Sequence, residues 1–267
     1  LSSLFNQARR SVGVAGTSGK STTTGMIGWV LSDCGLDPTV MNGAVMKNFV
    51  SPDALFASAL VGKSDVFVSE VDESDGSIAN YNPHVAVINN IALDHKTMDE
   101  LRTLFGGFAD RAEHVVLNLD NDETLLLTKR FPKAVTYSLS DAAADFFADE
   151  IVPGPTSISF RLLDQTGGAS LQVTLQVPGQ HNVSNALATI ATVTRLGVSF
   201  ADACASIERF TGIKRRFDIV GTTDTNITVI DDFGHNPDKI AAMLRTLHDF
   251  EGRLLVMFQP HGFGPLK

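Results

Sequence analysis

The chain has 267 residues, 43% hydrophobic and 19% charged, with a formal net charge of −9. That length and balance suit a globular protein with a substantial core and argue against a nucleic-acid partner, which would want a basic face. No apolar run is long enough for a membrane span and no signal-peptide core opens the chain. The two cysteines, Cys34 and Cys204, lack metal-ligand spacing, so buried free thiols and a cytoplasmic setting are expected.

In chain order, Val12 to Ala15 read as a buried strand. The loop Gly16-Thr17-Ser18-Gly19-Lys20-Ser21-Thr22-Thr23-Thr24 follows, then a helical pattern with Met26, Ile27, Val30, Leu31 and Cys34 on one side. Strand, glycine-bracketed loop and helix N-terminus make an anion site, because loop N–H groups and the positive end of the helix dipole point at phosphate oxygens. Lys20 adds charge at the β- and γ-phosphates, and the Ser21 hydroxyl takes one position on a magnesium ion. The general pattern wants glycine at position 14, where this chain has Val14, so the loop is a shorter form.

After Gly35 a loop containing Pro38 leads to Gly43. Met46 to Val50 reads as a mobile loop and Ala54 to Val61 as weakly helical. Asp65 to Val71 is a strand whose end carries Glu70, Asp72, Glu73 and Asp75. His84 to Ile91 is another, running into Asp94-His95. An amphipathic helix over Leu101 to Ala112, a strand over Glu113 to Asn118, a helix and a strand over Ala134 to Leu139 complete an alternating pattern. It predicts a parallel sheet covered by helices. Thr156 to Leu162 and Leu171 to Val177 then alternate with period two around Gln165 to Gly168, an antiparallel hairpin at the sheet edge.

A helix from His181 or Asn182 to Leu196, closed by Gly197, is followed by one over Phe200 to Phe210. Gly212 and the basic run Lys214-Arg215-Arg216 mark a boundary. Beyond it a strand over Ile227 to Asp231, a helix over Pro237 to Phe250 and a strand over Arg253 to Phe258 open a second α/β domain. The expected architecture is α/β throughout. A central phosphate-loop domain covers 1–212, with a mostly parallel sheet, flanking helices and an antiparallel hairpin; the start of a further domain covers 213–267. The chain opens without Met and closes just after an expected strand, so both ends read as cut.

Ligands of open α/β sheets bind at the carboxyl ends of the strands, where the phosphate loop, Glu70, Glu73 and His95 all fall. A hard cation on a triphosphate wants one or two carboxylates plus water. Glu70 or one of its neighbours, with Glu73 in reserve, is therefore the expected magnesium ligand beside Ser21. A Lys-Arg-Arg run is ordinarily a solvated face; at an interdomain joint it is a candidate for reaching the γ-phosphate. Asp231-Asp232 again joins a strand end to a helix start.

Taken together, the motifs resemble those of the Mur ligase family. The matching blocks are Gly16 to Thr24, Glu70-Val-Asp-Glu-Ser-Asp-Gly76, Asn90-Ile-Ala-Leu-Asp-His95, Gly179-Gln-His-Asn-Val-Ser-Asn-Ala-Leu187, Gly212-Ile-Lys-Arg-Arg-Phe217, Asp231-Asp-Phe-Gly-His-Asn-Pro237 and Phe258-Gln-Pro-His261, in the family's order. The acidic and Lys-Arg-Arg-Phe blocks are most similar to the alanine-adding branch, with features of the tripeptide-recycling branch such as Phe233. His261-Gly262-Phe263-Gly264-Pro265 stands where the alanine-adding branch usually has arginines. Gly234 to Pro237 is also similar to cyanophycin synthetase, a relative that polymerises amino acids without a UDP-sugar.

The resemblance implies an ATP- and Mg2+-dependent ligase joining a UDP-muramyl carboxylate to an amino acid or peptide through an acyl phosphate. A UDP-sugar-binding N-terminal domain and the remainder of a Rossmann-like C-terminal domain would lie outside this sequence, leaving these 267 residues inactive alone. It implies Gly16 to Thr22 at the phosphates, with Lys20 at β/γ, Ser21 and Glu70 on the first magnesium, and His95 at a second metal site. His181, Asn182 and Asn185 would lie at the adenine, Arg216 at a phosphate and Asp232 at the ribose. A non-murein acceptor, or a nucleotide-binding regulator without catalysis, are the alternatives.

Overall fold

The structure is a computed structural model and describes residues 1–94, 96–234 and 237–259. A helical turn, α1 (Ser2–Phe5), precedes strand β1 (Arg10–Ala15) and helix α2 (Lys20–Asp33). Strands β2 (Thr39–Met41), β3 (Ala59–Leu60), β4 (Val66–Glu70) and β5 (Val85–Ile88) follow. Then come α3 (Met98–Asp110), β6 (His114–Asn118), α4 (Asp122–Leu127) and β7 (Val135–Ser138). Strands β8 (Phe146–Pro153), β9 (Ile158–Asp164) and β10 (Ala169–Leu175) lead to α5 (Gln180–Arg195) and α6 (Phe200–Ile207). The chain continues through β11 (Asp218–Thr222), β12 (Thr228–Asp231) and α7 (Pro237–Leu247).

One 10-stranded sheet has the order β10-β9-β8-β7-β6-β5-β1-β4-β2-β3. Strands β2, β4, β1, β5, β6, β7 and β8 run parallel, with β3 antiparallel at one edge, and β9 pairing antiparallel with both β8 and β10 at the other. Both faces are covered, which is why the central strands read as continuous apolar runs. Val12, Val14, Val85 and Val87 join one core with residues of α2, α5 and α6, whereas Ala15, Ala86 and Ile88 join the other with Leu101, Phe105 and Phe108 of α3. Gly13 belongs to this packing: a Cβ there would sit 2.7 Å from Phe108 Cζ, so its missing side chain lets α3 reach the sheet.

The apolar stripe expected for the first helix is buried, with Met26, Ile27, Val30 and Leu31 at 0% exposure. Cys204 is buried and free, its thiol pushed up to about 12 by burial, while Cys34 is only half-buried. The hairpin is β9–β10 at the sheet edge, as its alternation predicts. β8 precedes it as a further antiparallel partner, and its apolar pattern is broken by Asp149 and Glu150, which pair with Arg161 of β9. Among the described residues no helix is long and apolar enough to cross a membrane.

Other expectations are corrected. Ala54 to Val61 is not helical: Leu55, Phe56 and Val61 are exposed, Ala57 is buried, and Ala59–Leu60 pairs with β2 as a short strand. Met46 to Val50 is anchored rather than loose. Met46 is fully buried, the Lys47 N–H donates to Gly212 O at 3.1 Å, and Asn48 Nδ2 donates to Arg209 O at 2.8 Å. Residues 253–258 form no strand, since no described strand offers them a ladder. β12 pairs instead with β11, in a separate 2-stranded sheet.

Candidate functional site

β1 and β5 are adjacent, and the loop leaving β1 is held by the residues leaving β5. The Thr17 N–H donates to Asn90 O at 3.1 Å and the Ser18 N–H to Asn90 Oδ1 at 2.8 Å. Asn90 Nδ2 returns a bond to Ser18 O at 3.2 Å, and the Ala92 N–H donates to Thr17 Oγ1 at 2.9 Å. Gly19 caps α2 with φ +82°, and no side chain bonds the first-turn amides from the cap. Orphan N–H groups at the start of a helix, reinforced by its dipole, form an anion-binding cradle.

Lys20 bends back over this cradle. Its Nζ donates to Gly16 O at 2.8 Å and to Glu73 Oε2 at 3.0 Å. Glu70 ends β4, next to β1, and its Oε2 accepts from the Gly43 N–H at 2.9 Å. Ser21 is buried, and its carbonyl accepts from Asn42 Nδ2 at 2.9 Å. The structure therefore places Glu73 beside the loop lysine, Ser21 next to it at the helix start, and Glu70 against the backbone of Gly43 at the end of the neighbouring strand. An ammonium, a hydroxyl and a carboxylate at a helix start, with a second carboxylate at the adjacent strand end, suit a nucleoside triphosphate with a hard divalent cation.

Behind the cradle runs a buried polar network. Asn89 Nδ2 donates to Thr23 Oγ1 at 2.9 Å, and that hydroxyl donates onward to Asn185 Oδ1 at 3.1 Å. Asn185 Nδ2 reaches Asn182 Oδ1 at 3.2 Å, and Asn182 Nδ2 donates to Pro178 O at 2.7 Å. Asn182 and Asn185 are thus buried on α5 and tied to the loop helix, while His181 at the start of α5 is exposed. Thr23 and Asn89 are contributors that motif reading passed over. Two consecutive amides at the end of an apolar strand, Asn89-Asn90, were the available signal.

The segment after Gly212 packs on the same side. Asp232 Oδ2 accepts from the Phe217 N–H at 2.8 Å and Oδ1 from the Gly234 N–H at 2.6 Å, so this carboxylate pins the joint to β12. The Arg216 guanidinium lies 5.3 Å from the centre of the Phe233 ring. Lys239 of α7 was not anticipated. Burial holds its ammonium below the usual lysine value; Lys20 and Arg216 push the same way, while Asp94 and Glu73 pull against them. Lys239 therefore shares the electrostatic field of the loop. His95 and the block Pro260 to Pro265 lie outside the described residues.

This geometry meets its relatives at one point. Residues 14–193 match the Mur ligase middle domain. The chain belongs to the Mur ligase family. Residues 215–263 match a second family description, the Mur ligase glutamate ligase domain. Curated relatives of this Mur ligase include the UDP-N-acetylmuramate–L-alanine ligase of Dictyoglomus turgidum, 35% identical over 97% of this chain and 56% of that protein. That of Thermosynechococcus vestitus is 38% identical over 98% of this chain and 56% of its own. Among solved structures, the UDP-N-acetylmuramate–alanine ligase of Thermotoga maritima superposes with a TM-score of 0.80 at 29% identity, over 92% of this chain and 56% of that one. A murein peptide ligase from Psychrobacter arcticus gives 0.70 at 28%, over 90% and 54%. The chain spans about half the length of the curated relatives it matches.

Proposed function

We propose that this Mur ligase acts in an ATP-dependent amide ligase. It would join the carboxylate of a UDP-N-acetylmuramate-type acceptor to an amino acid or peptide in peptidoglycan synthesis or recycling. The observation that carries the reading is the Lys20 ammonium held over a glycine-bracketed helix start and against Glu73. In this reading 1–212 is the central ATP-binding domain and 213–267 begins the C-terminal domain. A UDP-sugar-binding domain lies outside this sequence, and the setting is cytoplasmic.

The chemistry follows from charge and position. The acceptor carboxylate attacks the γ-phosphate of ATP, breaking its bond to the β-phosphate and releasing ADP. The amine then displaces phosphate from the resulting acyl phosphate, losing a proton as the amide forms. Both steps need alignment and neutralised charge more than covalent help from the protein. Gly16 to Thr22 cradle the phosphates, Lys20 holds the β/γ oxygens, and Arg216 reaches a phosphate from across the joint. Ser21 with Glu70 or Glu73 would supply hard oxygen donors that fit Mg2+, with His95 assigned to a second metal, and the cation would neutralise phosphate charge. His181, Asn182 and Asn185 border the adenine. Among the described residues the Asp232 oxygens accept the Phe217 and Gly234 N–H groups, and a carboxylate oxygen can accept more than one bond, a capacity suited to a ribose hydroxyl.

The test is phosphate release from the complete protein across a panel of acceptors and amines. Release that requires both a UDP-muramyl acid and an amine, and vanishes in Lys20→Ala, supports the reading. Release with only non-murein acids would move the acceptor to another class. ATP binding without release under any pairing would mark a regulator.

A further inference from the structure

A second constellation lies at the opposite end of the sheet. His84 immediately precedes β5, His114 opens β6 and Glu113 stands just before it. The strands are registered Val85 to His114, and the His114 N–H donates to His84 O at 3.0 Å, so the backbones carrying both imidazoles are tied together. The rings meet edge to face with centroids 5.1 Å apart, and Glu113 Oε2 lies 3.1 Å from His84 Nδ1. One ligand atom from each of the three residues lies within 4.8 Å of the others. The proposed ligase chemistry uses none of them.

We propose that His84, His114 and Glu113 form a binding site for a divalent transition-metal ion of the zinc type. Two imidazoles and a carboxylate are a donor set that zinc accepts, with water completing the tetrahedron. Bonds of about 2.0–2.1 Å set neighbouring ligand atoms about 3.3 Å apart, so modest side-chain rotations close the observed spacing onto an ion. Burial, the neighbouring His84 and Arg195 all lower the proton affinity of His114, which keeps a lone pair available near neutral pH, while Glu113 opposes them. Magnesium prefers oxygen donors, so the carboxylates around Lys20 and the imidazoles here would sort the two kinds of cation.

Five residues of extended chain separate His84 from Asn89, about 16 Å. An ion at the strand starts therefore touches no nucleotide. It would clip β5 to β6 and stabilise the sheet by mass action.

The experiment is calorimetric titration of the purified, tag-free protein with ZnCl2 at neutral pH, beside His84→Asn, His114→Asn, Glu113→Gln and the control His248→Ala. The expected result is one zinc per chain. Each histidine variant should weaken it at least about tenfold, with a smaller loss for Glu113→Gln and none for His248→Ala. Zinc should also raise the melting temperature of the parent protein but not of the histidine variants. Metal-free melting temperatures equal to the parent's establish that a variant is folded. Folded histidine variants binding zinc as tightly as the parent would overturn the site, as would a parent dissociation constant weaker than about 0.1 mM. Where a histidine variant does not fold, X-ray absorption on the zinc-loaded parent decides: two imidazole nitrogens support the site and an all-oxygen shell refutes it.

Discussion

Lys20 Nζ and Glu73 Oε2 lie 3.0 Å apart, with side chains 13% and 5% exposed. In the proposed function, nucleotide binding would exchange this carboxylate for phosphate, so the pair would couple occupancy of the loop to the acidic strand end. Removing one partner of a pair this well shielded leaves a desolvated charge, which costs about 3–5 kcal/mol. Lys20→Met is expected to abolish ATP binding and lower unfolding stability by about 3 kcal/mol, read from nucleotide titration and urea midpoints. Glu73→Gln leaves Lys20 bonded to Gly16 O. It is expected to reduce the gain in ATP affinity produced by Mg2+ at least tenfold, while affinity in EDTA holds or improves. An unchanged magnesium dependence would assign the metal to Glu70.

Gly19 is constrained twice. Its φ is +82°, and a Cβ would stand 2.6 Å from Asn185 Oδ1 and 2.9 Å from Asn89 Nδ2. The left-handed backbone alone costs an L-residue about 1–2 kcal/mol. Gly19→Ala should exceed that through the clash and weaken ATP binding, whereas Gly35→Ala, with φ +80° and nothing within 4 Å, should show only the backbone cost. Paired denaturation curves check the difference.

The Thr23 hydroxyl both accepts from Asn89 and donates to Asn185. Thr23→Val keeps the shape but strands both amides, and each buried unpaired group costs about 1–3 kcal/mol. A drop of about 2–4 kcal/mol is expected. In a double-mutant cycle with Asn185→Ala the losses should fall short of additive, because both changes break one bond. Full additivity would mean that the network is not shared.

Thr97 caps α3 in a reciprocal box with Glu100, whose carboxylate accepts from the Thr97 hydroxyl at 2.7 Å and the Thr97 N–H at 2.9 Å. These bonds hold the Glu100 carboxyl below its ordinary value of 4.5. Because the folded value is the lower one, the unfolded chain takes up the proton first as pH falls. The contribution is therefore full above the ordinary value and is lost through the depressed one. Melting temperatures of the parent and Thr97→Ala should differ at pH 7 and converge on acidification below 4.5. A constant gap would remove Glu100 from the cap.

Much of the fold was legible because local pattern and burial coincide. Val12 to Ala15, Val85 to Ile88 and the Leu101–Phe105–Phe108 stripe are buried where their spacing says, and the hairpin around Gln165 to Gly168 alternates because only one face of its strands meets the core. The misses arose where pattern and partner part company. Arg253 to Phe258 is apolar enough for a strand but has no ladder among the described residues, and in Ala54 to Val61 a weak helical propensity gives way to the pairing of Ala59–Leu60 with β2. Within the site, Gly16 to Ser21 and the acidic stretch Glu70 to Asp75 could be named from the chain alone, because a glycine loop before a helix and carboxylates after a buried strand are local chemistry.

Which residues meet across the sheet could not be read that way. The pairing of Lys20 with Glu73 rather than Glu70, the Asn89–Thr23–Asn185 relay and the approach of Lys239 join positions distant in sequence. So does the meeting of His84 with His114, brought about by the β5–β6 register. The sequence by itself determined the chemistry available, because side-chain type and local period are written in it. Partner, distance and burial were decided by tertiary structure, since strand order sets which chain ends lie side by side and packing sets which way each side chain turns.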